Sequence, residues 1–129
     1  MPLYRLAVRE GLSSESQRGQ IAKEVVRVHC GVTGAPPSFV HAIFLEKPAE
    51  ELPEGLAAFV LGSIRWGRTD GQKAEIVSEL TKSVADTLSV ENAEVRVVTA
   101  DIPSRWNMEG GELLPEPGEE EEWLKRHSA

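Results

Sequence analysis

Five residues have side chains or positions that could carry out acid–base chemistry on a small anion: Pro2, His29, Arg65, Arg68 and Glu109. If Met1 is removed, Pro2 becomes a secondary amine at the start of the chain. A desolvated amine near cations has a lowered pKa and can take up a proton near neutral pH. Proline also follows methionine where an extended terminus is merely tolerated. The dipeptide alone therefore leaves both interpretations open.

Arg65 and Arg68 lie where a predicted strand passes into a predicted helix. Two guanidinium groups can clamp a carboxylate, and the first turn of a helix adds unpaired N–H groups. Surface arginines at this spacing are common, so the pair is a candidate anion site. His29 is expected at the end of the first helix, where the dipole favours a protonated ring or a cap on the last carbonyls. Glu109 lies in a glycine-containing loop, where most glutamates are solvated.

Composition predicts one soluble globular domain. The chain has 129 residues, of which 40% are hydrophobic and 27% charged, and no stretch approaches the eighteen or so apolar residues of a membrane span. The start of the chain does not resemble a secretion signal. The single cysteine, Cys30, cannot form an internal disulfide. We therefore expect a cytoplasmic protein without a membrane partner.

The formal charge of −7 is concentrated near the end of the chain. Seven glutamates lie between Glu109 and Glu122, and the remaining residues balance, with 14 acidic against 14 basic side chains. The total argues against a nucleic-acid partner but permits a local cationic pocket for a small anion. We expect the run Glu119 to Glu122 to be a solvated tail. The sequence contains no metal-binding or nucleotide-binding motif.

The first hundred residues repeat one plan of strand, helix and strand. Ser14 with Gln17 and Thr69 with Gln72 have capping-box spacing, and both precede helical apolar patterns. Extended patterns cover about 3–8, 39–45, 57–64 and 95–98. The first helix is expected from about Ser14 to Cys30. A shift of 55 positions superposes the caps and the helix faces of the two halves, and it places Phe39 to Leu45 on Glu94 to Ala100.

These elements predict an α+β fold in a single domain, 1–129, with one βαβ unit at about 1–55 and the other at about 56–103. The two units would form a four-stranded sheet with both helices on one face. The uncovered face then needs a partner, so we expect a homo-oligomer that associates through the sheet. Residues 104–129 form a C-terminal segment whose apolar residues are expected to pack on this core or on a neighbouring subunit. They are Trp106, Leu113, Leu114 and Trp123.

The combination of Pro2, the duplicated βαβ plan, His29 and the two arginines resembles the tautomerase superfamily, and within it the cis-3-chloroacrylic acid dehalogenase-like branch. The resemblance covers nearly the whole chain, including the closing pattern from Pro103 to Trp123. It implies a homotrimer without a cofactor. It also implies that Pro2 is the amino-terminal catalytic proline, that Arg65 and Arg68 bind the substrate carboxylate, and that Glu109 activates water. His29 corresponds to the family's helix-end histidine, and it or an arginine would stabilise the developing oxyanion of the substrate.

One position departs from this pattern. Where the dehalogenase has a tyrosine in the last strand, this chain has Val98, which can neither donate a hydrogen bond nor share a proton. We therefore expect a tautomerase acting on enols of 2-oxo acids, such as phenylpyruvate or 2-hydroxymuconate-like compounds. A dehalogenase or hydratase of small unsaturated acids and a non-catalytic trimeric binding module are the alternatives. Whether a residue such as Tyr4, Trp66 or Trp106 from a neighbouring subunit compensates for the missing tyrosine is left open.

Overall fold

The computed structural model describes residues 1–127, so the last two residues of the predicted C-terminal segment lie outside it. The strands are β1 (Leu3–Arg9), β2 (His41–Lys47), β3 (Ala58–Arg65), β4 (Val95–Ile102), β5 (Met108–Glu109) and β6 (Glu112–Leu113). The helices are α1 (Glu15–Thr33), α2 (Asp70–Leu88) and α3 (Glu120–His127). Within residues 1–127 no helix is long and apolar enough to cross a membrane.

The predicted duplication is confirmed. The main sheet has the order β2-β1-β3-β4, with β1 parallel to β2 and β3 parallel to β4. The two units meet through antiparallel pairing of β1 with β3, in which Leu6 lies opposite Val60. Each unit therefore contributes one parallel pair, and the first strands of the two units lie at the centre of the sheet.

Both predicted capping boxes are present and set where the helices begin. The Ser14 hydroxyl accepts from the Gln17 backbone, and the Gln17 side chain accepts from the Ser14 backbone. Thr69 and Gln72 make the same reciprocal bonds at the start of α2. Helix α1 continues to Thr33, three residues past its expected end, and stops at Gly34, whose φ of 77° is in the left-handed region that glycine favours.

The core lies between the sheet and the two long helices. Its largest members come from β1, α1, β3 and α2: Tyr4, Leu6, Val8, Ile21, Val25, Val28, Val60, Ile64, Ile76, Leu80 and Val84. Because residues alternate between the two faces of a strand, the opposite face of the sheet carries apolar residues among charged ones such as Arg5 and Arg96. On that face Ile43 and Leu45 of β2 are 48% and 39% exposed. The expected uncovered apolar surface is therefore present.

The C-terminal segment packs only in part on this core. Leu114 and Trp123 are buried, as expected, and the Trp123 ring meets Phe39 edge to face with centroids 5.9 Å apart. Trp106 and Leu113 remain exposed, at 82% and 52%. These two residues do not anchor the segment within one chain.

Candidate active site

Four of the five predicted site residues line one cavity of about 480 Å³: Pro2, His29, Arg65 and Arg68. The start of β1, the end of α1, the β3–α2 connection and the C-terminal segment enclose it. Glu109 does not line this cavity, but its carboxylate contacts the amine at the start of the chain. The fold therefore brings together residues separated by more than half of the sequence.

Arg65 is held by the C-terminal segment. Its Nη1 donates to the Pro115 carbonyl at 2.9 Å, and its Nη2 donates to Glu120 Oε1 at 2.6 Å. The Arg65 side chain is only 11% exposed. Both terminal nitrogens of this guanidinium thus already have partners within the chain.

Arg68 is less well satisfied. Its Nη1 makes a long contact of 3.5 Å with the Thr33 carbonyl, and its buried Nε has no hydrogen-bond partner among the residues described. Burial, followed by the charge of Arg65, lowers the pKa of Arg68. A cation with unused donors at a cavity wall is suited to bind an anion.

His29 is not the protonated helix-end residue that the sequence suggested. The helix continues beyond it, and the ring is 2% exposed beneath the sheet. Burial, then Arg68 and the terminal amine, lower the pKa of His29 to about 4. The expectation of a dipole-stabilised imidazolium or a carbonyl cap is therefore wrong, and the ring is neutral at pH 7.

The buried partner of His29 is Tyr4. The Tyr4 hydroxyl lies 2.8 Å from His29 Nδ1, and the rings meet edge to face. Burial, above all, raises the pKa of Tyr4, so the phenol keeps its proton. Because that proton is donated to Nδ1, the neutral imidazole carries its own proton on Nε2. We assign this tautomer from the hydrogen bond, and it makes His29 a neutral donor.

The amine at the start of the chain is partly desolvated. Burial, then the charge of Arg65, lower the pKa of the Met1 amine to about 6. Contact with the Glu109 carboxylate favours the protonated form instead. Pro2 is buried beside it, and its carbonyl accepts from the His41 backbone at 3.0 Å. The position of Glu109 therefore influences how readily this amine loses its proton.

The expectation that Glu119 to Glu122 form a solvated tail is wrong for Glu120. Glu120 begins α3, pairs with Arg65 and accepts from the Gly118 backbone at 2.8 Å. Burial raises its pKa, but backbone hydrogen bonds and Arg65 lower it by more, so the net shift is downward. Glu120 is therefore an ionised residue of the cavity wall.

Val98 lies outside the cavity. It neighbours Leu61 across the β3–β4 pair and alternates with the buried Val97, so its side chain lies on the sheet face opposite the helices. Within one chain, this position adds no group to the cavity.

Reasoning from the sequence considered Tyr4 only as a substitute for the missing tyrosine, and it did not place Glu120 in the site. A signal existed for Tyr4, because it shares a strand face with Leu6 and Val8, and a buried phenol needs a polar partner. His29 follows Ile21 and Val25 at helical spacing, which also indicates the buried face. No comparable signal distinguishes Glu120 from its three glutamate neighbours.

Comparison with known proteins identifies the family. A model of tautomerase enzymes matches residues 63–114. The crystal structure of N1, a member of the cis-3-chloroacrylic acid dehalogenase family, is 35% identical, with a TM-score of 0.87 over 95% of this chain and 90% of that one. The comparison with curated proteins found no match. This chain belongs to the tautomerase superfamily, in the branch that contains the cis-3-chloroacrylic acid dehalogenases.

Other solved structures share the fold. A fused 4-OT described as a symmetric trimer is 27% identical, with a TM-score of 0.75 over 87% of this chain and 94% of that one. An FG41 malonate semialdehyde decarboxylase inhibited by 3-bromopropiolate is 20% identical, with a TM-score of 0.68 over 84% and 88%. At that identity the likeness concerns the fold alone. Membership in the superfamily therefore leaves the reaction to be argued from the site.

Proposed function

We propose that this protein is a cofactor-independent tautomerase that transfers protons between the enol and keto forms of 2-oxo acids through the amine of Pro2, after removal of Met1. The observation that carries this proposal is the cavity itself. It combines a buried proline beside a terminal amine of lowered pKa, an arginine with unused donors and a neutral histidine donor.

The groups of the cavity divide the reaction between them. Arg68 binds the carboxylate, and the Nε2–H of His29 donates to the oxygen at carbon 2. The neutral amine of Pro2 removes the enol proton as the carbon–oxygen double bond forms, and it delivers a proton to carbon 3. Positioned proton transfer of this kind contributes about 10²- to 10⁴-fold to a rate. Burial and Arg65 would lower the pKa of the Pro2 amine as they lower that of Met1.

A Pro2→Ala variant tests the assignment of the base. We expect kcat/KM for ketonisation of the phenylpyruvate enol to fall at least about 100-fold, since alanine presents a primary amine without the proline ring. Pro48→Ala is the matched control, because Pro48 lies in a loop before a short helical turn and does not line the cavity. Mass measurement of the N-terminus must first show that Met1 is removed. Unchanged activity in Pro2→Ala, or a retained Met1, would end this proposal.

Glu109 supports a second candidate, a dehalogenase or hydratase of small 3-substituted unsaturated acids. Its carboxylate contacts the terminal amine, where it could direct a water molecule and keep the proline protonated. That activity predicts halide release from 3-chloroacrylates and its loss in Glu109→Gln. The tautomerase proposal predicts that this variant still ketonises enols. If neither reaction occurs, a non-catalytic binding module is the remaining interpretation.

We also propose a cytoplasmic homotrimer. The uncovered sheet face, with Ile43 and Leu45 exposed, supports association, and the trimeric fused 4-OT supports the number of subunits. Sedimentation equilibrium gives the mass directly. An Ile43→Glu variant should shift it toward the monomer, because it places a charge on an apolar interface. A monomeric wild-type protein would refute this assembly.

A further inference from the structure

The cavity contains an acidic residue that the proposed reaction does not use. Glu120 pairs with Arg65 at 2.6 Å, and the Pro115 carbonyl takes the other terminal nitrogen of Arg65. A substrate carboxylate that approaches the two terminal nitrogens of Arg65 therefore competes with both partners. Arg68 is left as the guanidinium available for a carboxylate.

Glu120 is held firmly in this position. Its second oxygen accepts from Gly118, and the adjacent Pro117 packs against Gly67 so closely that an added Cβ there would lie 2.9 Å from the proline ring. Trp66 Nε1 also donates to Glu116 at 3.0 Å. These contacts fix the segment that leads into Glu120, so the carboxylate is a preorganised part of the wall.

One positive charge of the cavity wall is left without an acidic partner among the described residues. Arg65 is paired with Glu120, the His29 ring is neutral at pH 7, and the Glu121 carboxylate is 88% exposed and pairs with Lys125, so Arg68 keeps its charge for a ligand. Much of the remaining wall is apolar and is formed by Ala35, Pro36, Phe39, Leu114 and Leu124. One carboxylate can thus pair with Arg68, but a second would face an apolar surface or a carboxylate.

We propose that Glu120 is a specificity-determining residue that makes this site select monocarboxylates with an apolar body over dicarboxylates. The inference rests on the proposed function only in taking a carboxylic acid as the ligand. It favours phenylpyruvate-like substrates over 2-hydroxymuconate-like ones. Glu120 does not touch the reacting atoms; it sets the charge that the ligand may carry.

Binding of two unreactive acids tests this assignment without turnover. The probes are 3-phenylpropanoate and 4-(2-carboxyethyl)benzoate, which share a skeleton but carry one and two carboxylates. Titration calorimetry gives the ratio of their association constants for wild type, Glu120→Gln and Glu122→Gln. The last is the matched control, because Glu122 lies on the same helix, is exposed and does not line the cavity.

We expect the wild-type protein to bind the monocarboxylate more tightly, and Glu120→Gln to raise the dianion-to-monoanion ratio about tenfold. This estimate takes the removed charge of Glu120 to lie roughly 8 Å from the second carboxylate of the dianion, with an effective dielectric constant between those of protein and water. Glu122→Gln should leave the ratio unchanged. Thermal melting checks that each variant is folded. If Glu120→Gln does not fold, the preference of the wild-type protein for the monocarboxylate still tests the proposal.

Two results would overturn the inference. They are equal wild-type affinities for the two acids and an unchanged ratio in folded Glu120→Gln. If the ratio is unchanged because both affinities rise equally, Glu120 is a displaceable gate and not a specificity determinant. If neither the wild-type protein nor any variant binds either of the two acids, this inference and the proposed carboxylate site both fail. If binding is selective but ketonisation does not depend on Pro2, the proposed function fails and the assignment of Glu120 stands.

Discussion

Acidification tests the buried histidine of the site, His29. Its pKa is lowered from 6.5 to about 4, mainly by burial, so the unfolded chain takes up a proton at pH values where the folded protein does not. Stability must therefore fall as the pH drops from about 6.5 towards 4. The full difference corresponds to about 3 kcal/mol, and about 2 kcal/mol of it is lost between pH 7 and pH 5. That is a large part of the stability of a domain of this size.

Urea denaturation at pH 7 and pH 5 measures this loss when wild type is compared with His29→Gln. Glutamine can still accept the hydrogen bond of Tyr4 but does not titrate, so its loss of stability should be smaller by about 2 kcal/mol. The terminal amine titrates in both proteins, and its contribution cancels.

An NMR titration of the His29 ring measures its pKa in the folded protein directly. A midpoint near 4 supports a neutral donor in the cavity. A midpoint near 6.5, together with identical pH dependence in wild type and His29→Gln, would refute the reasoning. The ring would then be solvated, and its proposed role in binding the substrate oxygen would lose its basis.

Two further substitutions test the packing behind the site. Tyr4→Phe keeps the ring but leaves His29 Nδ1 without its partner, so urea denaturation should show a loss of about 1–3 kcal/mol. Ketonisation should also slow, because the ring is no longer held in one tautomer. Gly62→Ala places a Cβ 2.6 Å from the Tyr4 ring and should cost about 1–3 kcal/mol. Gly19 lies on α1 with no atom within 4 Å of an added Cβ, so Gly19→Ala should instead stabilise the protein by about 0.5–1 kcal/mol. Equal effects of the two alanine substitutions would contradict this packing.

Local signals were sufficient to predict the fold. The capping boxes at Ser14 and Thr69 and the apolar helix faces depend on neighbours a few residues away, and they place the helix starts correctly. The uniform offset of 55 positions also placed the second strands correctly, since it moves β2 (His41–Lys47) onto residues 96–102, within β4 (Val95–Ile102). The connection after α2 is one residue shorter than the connection after α1, and periodicity does not detect such a change.

The charge state of the buried site residues could not be predicted from the sequence, because it depends on contacts between distant parts of the chain. The dipole argument for His29 considered only its own helix, whereas the overlying sheet removes the ring from water. Desolvation then outweighs the partial charge of a helix end, which acts within the last turn. Tyr4 supplies the hydrogen bond that makes this burial tolerable. A strand residue and a helix residue, 25 positions apart, thus set the charge of the site together.

The two arginines show most clearly that the spacing of residues does not reveal their hydrogen-bond partners in the folded chain. As a sequence motif, Arg65 and Arg68 are equivalent halves of a carboxylate clamp. In the folded chain the C-terminal segment satisfies Arg65 through Pro115 and Glu120, while Arg68 keeps a buried donor without a partner. The segment that looked like a solvated acidic tail therefore makes the clamp asymmetric. It follows that the preference for one or two carboxylates on the substrate should depend on Glu120, a residue 55 positions from Arg65, as much as on the arginines themselves.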